Sequence, residues 1–392
     1  MDPAKPSLQL LRSLTDQHVL GALMRQRRLT RAELAAETGI SKPTVGESVR
    51  RLTEAGLVVD TGQRTAGGRG RGRVGSYYAL AGDLGLALAV SIAPEGIVAE
   101  CVSAHGDTVS RATEDITRPA RPEHVVPALR AAVAGAVSRT PDPAARLAVV
   151  SAADPVDRAT GRLIQLPDAP FLLGELDPVE VLAPLVDGPV TVDNDVNWAA
   201  RAEASRSGAT LADFAYLFLG EGLGCAVVSD GQVSRGHAGL AGEVSHLITT
   251  GPRGQARPFI EVFGELGLRQ PRSTAIDVTR LLAAASGPQA QPTATRRALA
   301  RAVSGVLAAI VALADPELII LGGSWGGHPV ILDALSDEIA QLPRRIEVRA
   351  ARHTAEPALT GARNDALARL RAAILTASDP GQLSAGRPTV GP

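Results

Sequence analysis

The 392-residue chain predicts an α/β protein in which a small winged helix-turn-helix head precedes two larger α/β lobes. Three observations carry that prediction. Residues 28–80 hold a short helix, a tight turn, a second helix and a basic hairpin in succession. Beyond residue 83, short apolar runs alternate with helical patterns, the order that builds sheets flanked by helices. Charge divides at the same point: residues 1–80 hold 13 Lys and Arg against 7 Asp and Glu, whereas residues 81–392 hold 27 against 34. A basic head on an acidic body suits phosphate contact at one end and a different task elsewhere.

In the head, Asp16 is read as the cap of a first helix running through Val19, Leu20, Leu23 and Met24. Leu34 and Ala35 set the inner face of the next helix. Gly39 supplies a turn with φ > 0, and Ile40 plugs the angle that follows. Ser41 is a good N-cap, and Pro43 is tolerated in the first turn after it. Val45, Val49 and Leu52 form one apolar stripe, leaving Lys42, Thr44, Gly46, Glu47, Arg50 and Arg51 to face outward. An ordinary helical hairpin is the competing reading. Against it stand the strand pattern at Leu57–Val59 and its return over Val74–Leu80.

Such a head presents its second helix to the major groove of duplex DNA. Ser41, Lys42 and Thr44 are expected at phosphates and base edges, Arg50 at the backbone, and Glu47 at a cytosine amino group. In the wing, glycine alternates with Arg69, Arg71 and Arg73, so these arginines either enter a narrow minor groove or clamp phosphates loosely. The expected partner is a two-fold symmetric operator read by a homodimer or homotetramer.

After the head, Gly85–Ala93 reads as a buried strand with Gly96–Val102 as its hairpin partner, and Val125–Val137 as a helix. Leu147–Ser151, Val190–Val192, Phe214–Leu219 and Leu318–Leu321 read as short strands, and Ala199–Ser207 and Arg297–Ala314 as helices. The expected domains are residues 1–82, 83–190 and 191–377, the last returning to the first lobe near its end, with a disordered tail over 378–392. No run of 18 apolar residues and no signal pattern are seen, so a cytoplasmic protein without membrane contact is expected. Two cysteines, Cys101 and Cys225, support neither a disulfide framework nor a cysteine-rich metal site.

Three segments of the body carry chemistry. Val192–Asn197 packs short polar side chains between a strand end and a helix, where they can grip hydroxyls or simply cap. Gly220–Gly224 follows a strand and suits either close ligand approach or a tight hairpin. In Gly236–His246, Glu243 and His246 lie three apart and can converge on a ligand, although a structural histidine is the alternative.

In order and spacing these segments resemble the ROK family (repressor, open reading frame, kinase), in its transcriptional-regulator branch. The likeness covers nearly all of residues 12–376 and is carried by TRAELAAETGISKPTV, PVDRATG, DNDVN, GEGLGC, GHAGLAGEVSH, DPELIILGG and a late LTGAR. It implies a winged helix joined to a two-lobed actin-like ATPase fold, of the sugar-kinase type, with a sugar in the cleft. By that resemblance Asn194 and Asp195 bind sugar hydroxyls, the Asp being the general base in the kinases. Glu243 and His246 match further sugar ligands, and Glu261 matches the Glu that ends the family's cysteine segment.

The departures from the family are informative. The first phosphate loop of the kinases reads Ser91-Ile92-Ala93-Pro94-Glu95 here, without the Asp and glycine and with an amide donor removed by Pro94. The second carries Glu221, whose charge would repel a nucleotide phosphate. The cysteine-rich zinc loop is replaced by Gly251–Glu261, which leaves His246 as a lone candidate ligand. No zinc and no cofactor are therefore expected, and the loop should be held by Phe259, Ile260 and Phe263. The usual Pro-Gly near the sugar reads Ala153-Asp154. The favoured function is a non-enzymatic regulator biased by a carbohydrate effector. The alternatives are a sugar kinase with a fused DNA-binding head, and a DNA-binding protein whose degenerate lobes serve oligomerisation.

Overall fold

A computed structural model describes residues 8–65, 75–140, 145–166, 170–206, 211–286, 293–342 and 344–377. The wing residues Arg69, Arg71 and Arg73 and the expected tail over 378–392 lie outside the described residues.

The head begins with helix Leu8–Gln26, whose Val19, Leu20, Leu23 and Met24 are buried. Asp16 does not cap it. The helix starts eight residues earlier, and Asp16 lies in its middle, buried against the recognition helix. Helix Arg31–Thr38 opens on a capping box: Glu33 N–H donates to Thr30 Oγ1 at 3.2 Å, and Thr30 N–H donates to Glu33 at 2.7 Å. It ends at Gly39 with φ 70°, the left-handed turn that lets helix Lys42–Glu54 follow at an angle. On that second helix Val45, Val49 and Leu52 are fully buried. Strands Val58–Arg64 and Ser76–Leu80 form the wing hairpin. A short strand Arg28–Thr30, not visible as a pattern in the sequence, pairs with Ser76–Leu80 and completes a three-stranded sheet.

Each lobe is built on a five-stranded sheet with the same order of strands. In the first, Leu86–Ala93 is central; on one side Gly96–Val102 pairs antiparallel with it and Thr108–Glu114 antiparallel with Gly96–Val102. On the other side lie Ala145–Ala152 and Val190–Asn194, both running parallel. The second lobe repeats this with Phe214–Leu219 at the centre. On one side Leu223–Ser229 pairs antiparallel with it and Gln232–Val233 antiparallel with Leu223–Ser229, and on the other Leu318–Gly322 and Glu347–Ala350 run parallel. Because Val190–Asn194 belongs to the first sheet, the expected boundary at 190 and 191 cuts through a strand. The crossover to the second lobe follows it.

The second lobe's core surrounds helix Ala294–Ala314, which contributes Leu299, Val303, Val306 and Leu307. That helix is long and apolar enough to cross a membrane by length and composition, and half of its most apolar stretch is buried within the protein. The C-terminal helix Pro357–Ala377 returns to the first lobe and packs on Leu86–Ala93 and Ala145–Ala152. In both lobes the parallel strands end at the same face, and the two faces meet across a cleft. In open α/β sheets this is where ligands bind.

Candidate functional site

On the head, Ser41, Lys42, Thr44, Glu47 and Arg50 are all exposed along one helix. Ser41 Oγ accepts from Thr44 N–H at 3.4 Å and shares a hydrogen bond with the Thr44 hydroxyl at 2.8 Å. The Arg50 guanidinium is bracketed by Glu47 at 2.9 Å and Glu54 at 2.7 Å. Exposed pairs of this kind are weak, so Arg50 can exchange them for a phosphate. Arg51 does not face outward as its helical phase predicts. It donates to the buried Asp16 carboxylate at 2.6 and 3.2 Å, and Ser48 donates to the same group. Sequence reasoning also missed Arg28 and Arg31, whose guanidinium carbons lie 5.3 and 5.1 Å from the ring centroids of Tyr77 and Tyr78. The tyrosine pair in the returning strand was the available signal. Tyr77 and Tyr78 are consecutive on one strand, so the two contacts lie on opposite faces of the head's sheet.

The inter-lobe cleft has a volume of about 1040 Å³ and brings together Asn194, Asp195, Glu243 and His246 on its walls. Strand register sets Asn194 beside Ala152. Asn194 is held by its surroundings: Nδ2 donates to the carbonyls of Asp154 at 3.3 Å and Ala152 at 3.4 Å, and Oδ1 accepts from Val196 N–H at 2.9 Å. Asp195 opens helix Asp195–Arg206 and accepts from the same Val196 N–H at 2.8 Å. Its neighbour Asp193 is buried and structural, bonding Asn197 at 2.8 Å and pairing with Arg235 at 3.2 Å. Glu243 reaches the cleft because Gly242, with φ 97°, lets the chain pass against the second sheet. A Cβ there would lie 1.7 Å from the Cys225 carbonyl oxygen.

Glu261 is not among the residues lining the cleft. On helix Phe259–Glu265 the buried positions are Phe259, Ile260, Val262 and Phe263, which turns Glu261 outward to pair with Arg269 at 3.1 Å. The apolar residues of that segment do hold it. Phe259 and Phe263 stack edge-on with centroids 5.4 Å apart, and Phe263 lies 5.8 Å from Trp325.

Asp154 was not singled out from the sequence as a site residue, yet it lines the cleft and is 3% exposed. Its position one strand over from Asn194, at the end of Ala145–Ala152, was the signal. Burial pushes its carboxyl up to about 7, against the Leu172 amide bond and with a further push from Glu243. Asp195 is likewise pushed up to about 7, by burial first and then by Asp154, Glu243 and Glu95, while the Val196 amide opposes the shift. Burial alone raises Glu243 to about 7. The floor of the cleft thus concentrates carboxyl groups that repel one another.

Ser91, Ala93 and Pro94 also line the cleft, as do Glu221 and Gly222 of the hairpin turn Gly220–Gly222, where Gly220 N–H donates to the Gly222 carbonyl at 3.0 Å. Glu221 at that turn pairs with Arg118 at 2.7 Å, and Arg118 also donates to the Pro94 carbonyl at 2.8 and 3.1 Å. One guanidinium therefore spans the two loops that would flank a nucleotide's phosphates.

The sequence model of the ROK family matches residues 89–369, and a winged helix-turn-helix DNA-binding model matches residues 12–59. The chain is 31% identical over 156 residues to a bifunctional enzyme NanE/NanK of Brucella melitensis, a match taking in 38% of this chain and 30% of that protein. The chain thus spans less than a third of that relative's length. To the N-acetylmannosamine kinase of Escherichia coli O139:H28 it is 26% identical over 288 residues, 70% of this chain and 96% of that protein. Among solved structures, a ROK family transcriptional regulator, a homolog of the E. coli MLC protein, superposes with a TM-score of 0.62 at 18% identity, covering 96% of this chain and 100% of that one. A ROK family glucokinase from Streptomyces griseus, solved with glucose and AMPPNP, superposes with a TM-score of 0.53 at 24% identity, covering 71% and 98%. At these identities the structural likenesses are likenesses of fold.

Proposed function

The chain belongs to the ROK family and carries a winged helix-turn-helix head, and we propose that it is a transcriptional repressor whose cleft senses a sugar or sugar derivative without phosphorylating it. One juxtaposition carries this reading. Asn194, Asp195, Glu243 and His246 line the same cleft as the two loops that Arg118 ties together through Glu221 and the Pro94 carbonyl. Hydroxyls find acceptors and donors among the first four side chains. At those loops, a phosphate would meet the Glu221 carboxylate and a proline without an amide hydrogen, and Arg118 already pairs with that carboxylate. Asp195 can accept a proton, but without a bound phosphoryl donor it has no transfer to assist.

The relatives named as N-acetylmannosamine kinase and the glucokinase solved with glucose support a carbohydrate as the ligand class. The regulator that aligns along nearly the full chain supports a head and body working together. We assign the head to a two-fold operator, read by a homodimer through Ser41, Lys42, Thr44, Glu47 and Arg50 and by the wing arginines Arg69, Arg71 and Arg73.

Thermal melting against a panel of mono- and oligosaccharides, run beside coupled ATP turnover, tests the reading. A ligand at a hundred times its dissociation constant should stabilise by about 2.7 kcal/mol. Sugar-dependent ATP turnover would instead establish a kinase with a fused head, and a panel without any shift would leave the lobes to oligomerisation. Asp195→Asn is expected to abolish the effector response in an operator-binding assay while operator affinity without effector stays at the parent's value. An undiminished response would remove Asp195 from the ligand contacts.

A further inference from the structure

We infer that the ligand of the cleft carries a protonated amine, as an unacylated amino sugar or a short oligomer of one. The inference rests on the carbohydrate-sensing reading and narrows it. Asp154, Asp195 and Glu243 line one cleft, and no arginine or lysine among the described residues forms an ion pair with any of them. Asp154 is 3% exposed, and its Oδ2 has no hydrogen-bond partner among the described residues. A buried carboxylate oxygen left open in this way costs free energy until a donor reaches it, and a charged donor compensates most. Glu95 adds a further carboxylate to the lining of the cleft.

The donor needed is larger than an ion. Among the described residues, no three His, Cys, Asp or Glu side chains come together at the separation a metal requires. The volume of about 1040 Å³ also suits a ring or a pair of rings. A neutral hexose would satisfy single lone pairs through its hydroxyls but would not favour ionisation of these carboxyls, as a cationic ligand does. An ammonium group presents three N–H donors and a positive charge at one point, which matches the excess of acceptors over donors here. Asn194 contributes little donation of its own, because its amide is turned toward the Ala152 and Asp154 carbonyls. Acylation of the amine would remove the charge and leave a single donor, so an N-acetyl sugar is the discriminating comparison.

Isothermal titration of the full chain with glucosamine, mannosamine and galactosamine, each beside its N-acetyl derivative and its parent hexose, tests this directly. At least one amine is expected to bind tenfold or more tightly than both of its neutral counterparts. In Asp154→Asn, that preference should fall toward unity. Equal or tighter binding by the neutral or acetylated sugars would overturn the amine assignment and leave the carbohydrate reading intact. Failure of every sugar in the panel to bind would overturn both. The comparison among ligands is made on the parent protein, so it decides the matter even if the variant folds poorly.

Discussion

Asp16 and Asp154 are both buried aspartates, and their partners give them opposite energetic signs. Asp16 faces the Arg51 guanidinium at 2.6 Å and the Ser48 hydroxyl, so its charge is compensated where it is made. Asp154 accepts from the Leu172 amide and has its other oxygen without a partner among the described residues, and burial pushes its carboxyl up to about 7. A folded-state pKa above the ordinary 3.8 favours the protonated form of the native protein. Stability therefore falls as pH rises through the interval from about 4 to about 7, and the full cost is present above it. Asp154→Asn keeps the shape and removes the ionisation. Without ligand, the variant is expected to melt above the parent at about pH 8, by up to ~4 kcal/mol on the linkage scale. That advantage should shrink steadily as pH is lowered toward 4. Paired melting curves across the range check this, and a difference that does not vary with pH would mean that Asp154 is not ionised at the cost described.

The elements most legible in the sequence are those whose logic is local. Gly39, the Ser41 cap and the Val45, Val49, Leu52 stripe lie within one helix and its turn, and propensity with periodicity suffices to read them. Asp16 and Arg51 were misread because each looks solvated along its own helix, and their contact spans 35 positions of sequence. Strand Thr108–Glu114 escaped notice because only Ser110 and Ala112 are buried, too few apolar positions to make a pattern. In the cleft, Asn194, Asp195, Glu243 and His246 were legible through motif order. Glu261 was not, since only the phase of helix Phe259–Glu265 decides which way it turns. Lys42 belongs to the legible group: it is exposed at the first turn of the recognition helix. Lys42→Ala is expected to weaken binding to all DNA sequences alike and to reduce the salt-dependence slope by about one unit. Titrations at several salt concentrations measure both. An unchanged slope would mean that Lys42 touches no phosphate.

At the scale of the molecule, head and body are not separate beads. One hydrophobic cluster runs from Val19, Leu23 and Val49 of the head through Ala87 and Val149 of the first sheet to Trp198, Leu359, Ala366 and Leu370. Polar contacts reinforce it, with Arg371 donating to the Ala104 carbonyl at 2.8 Å and Arg27 pairing with Asp107 at 2.6 Å. Trp198 lies one turn along the helix that Asp195 opens, and its indole N–H donates to the Val150 carbonyl at 3.0 Å. A ligand on Asp195 would thus bear on a helix that packs directly on the C-terminal helix, which in turn touches helix Leu8–Gln26. Gly361 is the point of closest approach: a Cβ there would lie 1.9 Å from the Trp198 carbonyl oxygen. Gly361→Ala gains about 1 kcal/mol of helix propensity, yet backbone contact at that distance must be relieved by moving the two helices apart. The clash is expected to win, lowering the melting temperature. If the effector signal passes through this contact, the variant should still bind ligand within a fewfold of the parent, while the ratio of operator affinities with and without ligand falls toward one. Calorimetry for the ligand and operator binding with and without it separate the two quantities. A destabilised variant with the parent's ratio would show that the signal reaches the head by another route, and a variant as stable as the parent would show that the helices accommodate the methyl group.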